Sequence, residues 1–171
     1  MGIENAESES RIRIANQNPE SPLRDNGRMA LLSEQDRQIV RTHLADLKHD
    51  VTLLLFTQTI GGPETGLIAR QILDELSGLS DRIKVEEVNF VLEKERAGQL
   101  RIDRIPAIAV LRDGEDTRIR FYGAPAGYEF MSLVEAVILA GGDDSGLEDQ
   151  SKKLLATIEQ PTLLEVFVTP T

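Results

Sequence analysis

The sequence predicts a three-layer α/β fold in which a mixed central sheet has helices on both faces. The run VTLLLFT, residues 51–57, is continuously apolar, as expected for a strand that is buried on both faces. A helical pattern over 63–78 separates it from a second strand pattern, and such a βαβ unit makes its two strands parallel. Asp113 and Gly114 then mark a hairpin, whose strands are antiparallel. A mixed sheet covered by helices accommodates both the parallel βαβ unit and the antiparallel hairpin.

The first helix precedes this sheet. Ser33 is predicted to cap the helix, and Asp36 lies in the acidic first turn that helix N-termini favour. We expect the helix to continue to about Lys48. Its predicted buried stripe follows the helical period and consists of Ile39, Val40, Leu44 and Leu47.

The second helix follows the first strand of the sheet. The loop QTIGG leads into PETGLIARQILDELSG, in which Pro63 suits the first helical position and Gly78 ends the helix. The segment RIKVEEVNFV, 82–91, is predicted to be the second strand, and LEKERAGQLRI, 92–102, a short helix and a turn. The side chains that the second helix is expected to bury are Leu67, Ile68, Ile72 and Leu76.

The last part of the predicted domain is a hairpin and a helix. The hairpin is IPAIAVLRDGEDTRIRFYG, and YEFMSLVEAVILAGG is amphipathic and ends at Gly141. The element order is therefore a helix followed by β-α-β-α-β-β-α, which is the arrangement of a thioredoxin-like fold. The inward-facing residues of the last helix are predicted to be Phe130, Leu133, Val134 and Val137.

The chain divides into three regions. Residues 1–28 are rich in Asn, Pro, Ser and charge without a structural period, which predicts a disordered leader. Residues 29–142 form the predicted domain. Residues 143–171 repeat its beginning: at a fixed offset of 111, Leu44 matches Leu155, Leu47 matches Ile158 and Phe56 matches Phe167. This repeat predicts that a second unit begins here and contributes a strand over Thr162 to Val168.

Composition excludes several classes of function. The chain has no cysteine, which rules out disulfides, thiolate nucleophiles and Cys-ligated metals. The histidines His43 and His49 are six residues apart, do not share a helical face and are expected to be ordinary surface residues. A net charge of −10 argues against nucleic-acid binding. No membrane segment, secretory signal, metal or cofactor is predicted, and a cytoplasmic location is expected.

From Met29 onward the sequence resembles a known family. The stretches ALLSEQDR, RIDRIPAI, FYGAPAGYEF and VFVTPT are similar to the glutaredoxin-like protein disulfide oxidoreductases, which contain two thioredoxin folds in tandem. The VTPT ending favours this family, in which the Cys-x-x-Cys of the second unit follows directly. A related resemblance is to the N-terminal domain of the flavoprotein that reduces alkyl hydroperoxide reductase. Either resemblance implies thiol–disulfide exchange in the intact relative and a second thioredoxin-like unit as partner.

The first unit departs from the oxidoreductase pattern at the cysteine positions. One alignment with the family places Pro63 and Gly66 at these positions, and another places Gly62 and Thr65 there. Both sulfur atoms are therefore missing, and thiol–disulfide exchange needs one thiolate to attack and another to resolve. Thr65 is interpreted as a residue of the first helical turn, because an unassisted Thr hydroxyl is a poor nucleophile.

The resemblance retains the scaffold of a peptide site. It implies that Pro106 in RIPA is cis and that Ile105 offers its backbone to an extended peptide, next to Gly62 and Pro63. The alternative is that Ile105 and Pro106 only begin a strand in the required geometry.

The sequence therefore favours a redox-inactive thioredoxin-like domain that packs beside an active second fold and positions protein or peptide thiol substrates. Whether the intact protein is an enzyme stays open, and this chain alone is expected not to be catalytic. The alternatives are a non-catalytic peptide-binding module and a domain of the hydroperoxide-reductase flavoprotein. The apolar strand over 162–168 lacks partners in this chain, which predicts self-association.

Overall fold

The computed structural model describes residues 32–58, 61–161 and 165–166, together with the backbone of two short strands near the N-terminus. From the first helix onward the described elements follow the predicted order, whereas the two short strands that precede it were not predicted. The elements are β1 (Arg24–Asp25), β2 (Arg28–Met29), α1 (Glu34–Leu44), β3 (Val51–Thr57), α2 (Thr65–Ser77), β4 (Ile83–Asn89), α3 (Lys94–Gln99), β5 (Ala107–Arg112), β6 (Glu115–Tyr122), α4 (Tyr128–Gly141) and α5 (Asp149–Leu155).

The central sheet has the strand order β4-β3-β5-β6. β3 and β4 are parallel, whereas β5 is antiparallel to both β3 and β6, which confirms the predicted mixed sheet. Side chains alternate between the two faces along a strand. Leu53 and Leu55 of β3 therefore enter the core cluster that contains residues of α1, α2 and α4, whereas Leu54 and Phe56 enter the cluster that contains Ala97 of α3.

Most predicted features of the individual elements are confirmed. Ser33 caps α1 by accepting a hydrogen bond from the Asp36 N–H at 3.1 Å. The hairpin turn places Asp113 and Gly114 at φ 48° and 88°, the left-handed conformation that a two-residue type I′ turn requires. The predicted inward side of α4 is buried throughout.

Three predictions about the helices are wrong, and the first concerns α2, which begins at Thr65 instead of Pro63. α1 ends at Leu44 instead of Lys48, because the backbone N–H groups of Lys48 and His49 both donate to the carbonyl of Gly141 and hold the chain at the end of α4. In α2, Leu67 is 78% exposed and Ile68 is 45% exposed instead of buried. The helix turns a narrower face to the sheet, and that face consists of Gly66, Ala69, Ile72, Leu73 and Leu76.

The two ends of the chain lie largely outside the described residues. Within the predicted leader, β1 pairs with β2 in a short antiparallel ribbon. Of the predicted strand over 162–168, only Glu165 and Val166 are described, and both are exposed. Across the described part of the chain, no helix is long and apolar enough to span a membrane.

Candidate functional site

The candidate site lies at one edge of the sheet. The carboxyl ends of β3, β4 and β6 and the amino end of β5 meet there, because β5 is the one strand of this sheet that runs in the opposite direction. Phe56 pairs with Ala107, and Ala107 pairs with Tyr122, so these residues form a row across the sheet at this edge. The loop after β3 and the Ile105–Pro106 segment before β5 are therefore neighbours.

The positions that match the cysteines lie where the loop after β3 becomes α2. Thr65 is the first residue of α2 and so lies in the first helical turn, as the sequence indicated, but Pro63, the predicted first helical residue, lies before the helix. The Thr65 side chain is exposed. The turn into the helix is closed by the Gly66 N–H, which donates to the Pro63 carbonyl at 2.9 Å. Pro63 is exposed, Gly62 is half-buried and Gly66 is buried. None of these residues carries a nucleophile or a redox group.

Each candidate cysteine pair includes a glycine that has no room for a side chain. A Cβ added at Gly66 would lie 2.8 Å from Oγ1 of Thr57, which is itself buried at the end of β3. A Cβ added at Gly62 would overlap the backbone carbonyl oxygen of Gln58. Substitution alone therefore cannot place two cysteines at either pair, because the Gln58 backbone or the Thr57 side chain would have to move first.

The proline scaffold opposite this turn is present. The Ile105–Pro106 peptide bond is cis, as the resemblance implied. Pro106 is buried, and its carbonyl accepts a hydrogen bond from the Gly123 N–H at 2.8 Å, which joins the start of β5 to the loop after β6. Ile105 is half-buried against the α3-side core. Among the described loops and turns, no backbone hydrogen bond involves Ile105.

Exposed apolar side chains concentrate at the same edge. Among the described residues from 32 to 142, seven large apolar side chains are strongly exposed, and six of them lie next to the strand ends just described. The seventh, Leu139, is in the second half of α4. We call the six the apolar rim: Leu67, Ile68, Val91, Leu92, Tyr122 and Tyr128. Large apolar side chains that are exposed around one edge of a folded domain indicate a candidate interaction surface.

A cation lies over one aromatic ring of the rim. The guanidinium of Arg104 is 4.6 Å from the centroid of the Tyr122 ring, within the range of a cation–π interaction. Arg104 also forms an ion pair with Asp103 at 3.2 Å. The contact with Tyr122 holds the segment before Ile105 against the end of β6, next to the backbone predicted to bind a peptide.

Sequence reasoning missed a histidine at the opposite edge of the sheet. His49 was expected to be an ordinary surface residue, but its Nδ1 lies 2.7 Å from an oxygen of Asp113 and its Nε2 lies 2.8 Å from an oxygen of Asp143. Its partners lie 64 and 94 residues further along the chain, so no local sequence signal could have revealed them. His49 and the two carboxylates do not form a recognisable metal site, and no such group occurs in the described ranges.

The carboxylates change the titration of His49. Hydrogen bonds to Asp143 and Asp113 raise the pKa of His49 above 6.5, while desolvation and Arg112 oppose this increase. Hydrogen bonds from His49 and Lys48 lower the pKa of Asp143 to about 2. The pKa of Asp113 is also lowered, mainly by His49 and then by the Asp50 N–H. The cluster is structural and lies far from the rim.

No protein-family model matches the chain. The F component of alkyl hydroperoxide reductase from Staphylococcus aureus is 28% identical, over 71% of this chain and 24% of the relative's length. The chain therefore spans about a quarter of the length of this curated relative.

Solved structures of two kinds of protein are similar to the chain. The NTD_N/C domain of alkyl hydroperoxide reductase AhpF from Enterococcus faecalis is 31% identical with a TM-score of 0.67, and the match covers 71% of this chain and 58% of that one. A protein disulfide oxidoreductase from Aeropyrum pernix is 27% identical with a TM-score of 0.63, covering 73% and 54% respectively. Both kinds of protein agree with the resemblances found in the sequence. The chain thus has a thioredoxin-like fold, similar to domains of these two kinds of reductase.

Proposed function

We propose that the chain is a redox-inactive thioredoxin-like domain that binds and positions a polypeptide beside an active thioredoxin-like unit. One observation carries this proposal. The apolar rim and the Ile105 backbone, which makes no backbone hydrogen bond among the described loops and turns, lie at the edge where both candidate cysteine pairs lack sulfur atoms and where Gly62 and Gly66 leave no room for them. The edge therefore supplies binding groups without exchange chemistry.

The partner in this proposal is a second thioredoxin-like unit, and the C-terminal region supports it. Leu155 and Ile158 match Leu44 and Leu47 in the internal repeat. In the first unit, Leu44 is 2% exposed and Leu47 is 6% exposed, whereas Leu155 and Ile158 are 53% and 55% exposed. Side chains with the same pattern that lack a core to enter indicate a missing packing partner. The cytoplasmic location stays a prediction.

The binding test uses a polypeptide without a disulfide, the carboxymethylated B chain of insulin. Binding would be followed by NMR on backbone amides near Ile105 and Gly123. The Ile105→Pro variant removes one backbone N–H, so we expect affinity to fall about two- to tenfold, as for one lost hydrogen bond. Ile105→Val keeps the N–H and should bind like the wild type. Equal binding by all three proteins would contradict a backbone-mediated site at Ile105.

The redox part of the proposal is tested separately. Insulin reduction by dithiothreitol should proceed at the same rate with and without the chain, because the chain contains no thiol. Any acceleration that grows with the concentration of the purified chain would overturn the redox-inactive assignment. The control is a second preparation whose purity and intact mass have been verified, because a contaminating reductase would also accelerate the reaction.

The alternative is a domain of a hydroperoxide-reductase flavoprotein, and the similarity to the alkyl hydroperoxide reductase proteins favours it. The two proposals differ in the coding sequence downstream of the Thr171 codon. A Cys-x-x-Cys unit followed by a flavin domain supports the flavoprotein, and that unit alone supports the disulfide oxidoreductase. A stop codon supports a peptide-binding module that acts without a redox partner in the same chain.

A further inference from the structure

A small pocket opens beside the apolar rim, on the face of the sheet that α3 covers. It encloses about 240 Å³ and is lined by Phe90, Val91, Lys94, Ala97, Gly98 and Ile102. Phe90 and Val91 follow β4, and Ile102 precedes the cis-proline segment. The pocket is separate from the turn that carries the candidate cysteine positions, and its walls are predominantly apolar.

Gly98 keeps this pocket open. A glycine inside a helix is less favourable than alanine, so its presence usually has a conformational or packing reason. Neither reason applies at Gly98, because its φ is not in the left-handed region and a Cβ added there would meet nothing within 4 Å. Gly66 and Gly141, in contrast, lie against neighbouring side chains. A side chain at position 98 would instead reduce the volume of the pocket.

Lys94 supplies the charged group at the pocket. It precedes Gly98 by four residues, so the two lie on the same side of α3. The neighbouring cations Arg96 and Arg104 are engaged with carboxylates, Arg96 with Glu86 and Arg104 with Asp103. Lys94 is exposed and forms no ion pair within the described residues. Its ammonium group is therefore available to an anionic ligand at the mouth of the pocket.

We propose that this pocket binds an apolar carboxylate, whose apolar body fills the space above Gly98 and whose carboxylate pairs with the ammonium group of Lys94. The volume suits one large apolar group, such as a phenyl ring. The carboxylate comes either from a small organic acid or from the C-terminal residue of a polypeptide. This inference does not rest on the proposed function, because it uses neither Ile105 nor the cysteine positions, although the pocket and the apolar rim share Val91.

The test uses 3-phenylpropionate and its uncharged analogue 3-phenylpropanamide, observed by NMR of the full chain. We expect saturable shifts at the backbone amides of Phe90, Val91 and Ile102. The carboxylate should bind about two- to fivefold more tightly than the amide, as for a partly exposed ion pair. Lys94→Gln should remove this preference while keeping binding of the amide. Lys153→Gln, a change of an exposed lysine elsewhere, should retain the preference.

Filling the pocket is the second arm. Gly98→Leu should abolish binding of both probes, and Gly98→Ala, which adds one methyl group, should weaken it less. Gln99→Leu places leucine at the next position of α3, which does not line the pocket, and should bind normally. Absence of saturable shifts in the wild type, or unchanged binding in both Gly98 variants, would overturn the proposal.

The third arm identifies the source of the carboxylate. The peptide acetyl-Gly-Gly-Phe with a free C-terminus would be compared with 3-phenylpropionate and with the same peptide amidated. Tighter binding of the free peptide than of the small acid supports the site and assigns it to protein C-termini. Tighter binding of the small acid supports the site and assigns it to organic acids. Equal binding of the free and amidated peptides, together with equal binding of 3-phenylpropionate and 3-phenylpropanamide, would contradict a role for the carboxylate.

Discussion

Gly66 is held against Thr57 at the point where α2 begins above the end of β3. The Cα of Gly66 approaches so closely that a methyl group would lie 2.8 Å from the Thr57 hydroxyl oxygen. Thr57 is buried, and its carbonyl accepts a hydrogen bond from the Phe90 N–H at 2.9 Å. One residue thus determines how closely α2 can approach the sheet, and it does so at a position that one alignment assigns to a cysteine.

We predict that Gly66→Ala destabilises the domain by about 1–3 kcal/mol, the usual cost of overpacking a close contact. In a Thr57→Ala background the same substitution should cost at least about 1 kcal/mol less, because the opposing side chain has been shortened. Urea unfolding of the four proteins of this cycle measures the coupling energy.

The matched control for that cycle is Gly98→Ala, a helical glycine with open space at its Cβ position. It should be neutral or stabilise the fold by about 0.5–1 kcal/mol, as expected from helix propensity. If Gly66→Ala and Gly98→Ala changed the free energy of unfolding by the same amount, the close contact between Gly66 and Thr57 would have no effect on stability.

At the scale of elements, His49 links three parts of the fold that are distant in sequence. It precedes β3, and its carboxylate partners are Asp113 in the turn between β5 and β6 and Asp143 just after α4. Asp143 also pairs with Lys48 at 3.0 Å and with Arg112 at 3.2 Å. Both nitrogens of His49 can donate to these carboxylates when the imidazole is protonated, so its charge state determines the strength of the link.

The cluster predicts a pH dependence of stability. Because the pKa of His49 is raised in the folded state, its contribution is complete below about 6.5 and is lost as the pH rises through the folded pKa. Asp143 contributes above 3.8 and loses its contribution as the pH falls through about 2. We therefore expect His49→Gln to lower Tm more at pH 5 than at pH 9.

The control for this prediction is His43→Gln, since His43 is exposed on α1 and takes no part in the cluster. Its Tm difference from the wild type should be the same at pH 5 and pH 9. If the Tm difference between His49→Gln and the wild type were the same at pH 5 and pH 9, the charge of His49 would not contribute to stability.

At the scale of the whole molecule, apolar surface is distributed unevenly. It is exposed at the rim and again in the C-terminal region, where α5 has no buried residue and Leu154, Leu155 and Ile158 are exposed. The polar contacts of α5 are local, such as the 2.8 Å ion pair between Lys152 and Asp144. Such surfaces favour association with a partner or with a second copy of the chain.

We predict that the chain self-associates in a concentration-dependent manner through residues 162–168, the sequence-predicted strand, most of which lies outside the described residues. Sedimentation velocity should show larger species that disappear when residues 162–171 are deleted. The double substitution Leu67→Ser and Leu92→Ser removes two apolar side chains from the rim, and association that persists in this variant assigns the self-association to residues 162–168 instead of the rim. A monomer at high concentration, together with unchanged sedimentation after the deletion, would contradict this prediction.

The fold was predictable because its strongest signals are local. The apolar run of β3, the Asp113–Gly114 turn and the capping Ser33 each specify backbone structure through their own residues, and all three predictions are confirmed. The placement of Leu67 and Ile68 was not predictable in the same way. Both fit a helical apolar stripe, but the close contact of Gly66 with Thr57 rotates a different face of α2 toward the sheet.

The candidate site was predictable only in part. The absence of cysteine is a property of composition, and the cis bond at Pro106 followed from the family resemblance. The concentration of exposed apolar side chains depends on which strand ends share an edge, and this follows from the strand order. The pocket above Gly98 had one sequence signal, an isolated glycine within a helical pattern, but the open space around this glycine depends on tertiary packing.

By itself, the sequence determined the order of the elements, the mixed sheet and the absence of thiol chemistry, because turn residues, apolar periods and composition act through neighbouring residues. Tertiary structure alone decided that His49 joins two carboxylates, that Gly62 and Gly66 have no room for a side chain and that the apolar rim lies at one edge. These features depend on contacts between residues far apart in the chain. Such contacts arise from the packing of α2, α4 and the sheet, which no local pattern encodes.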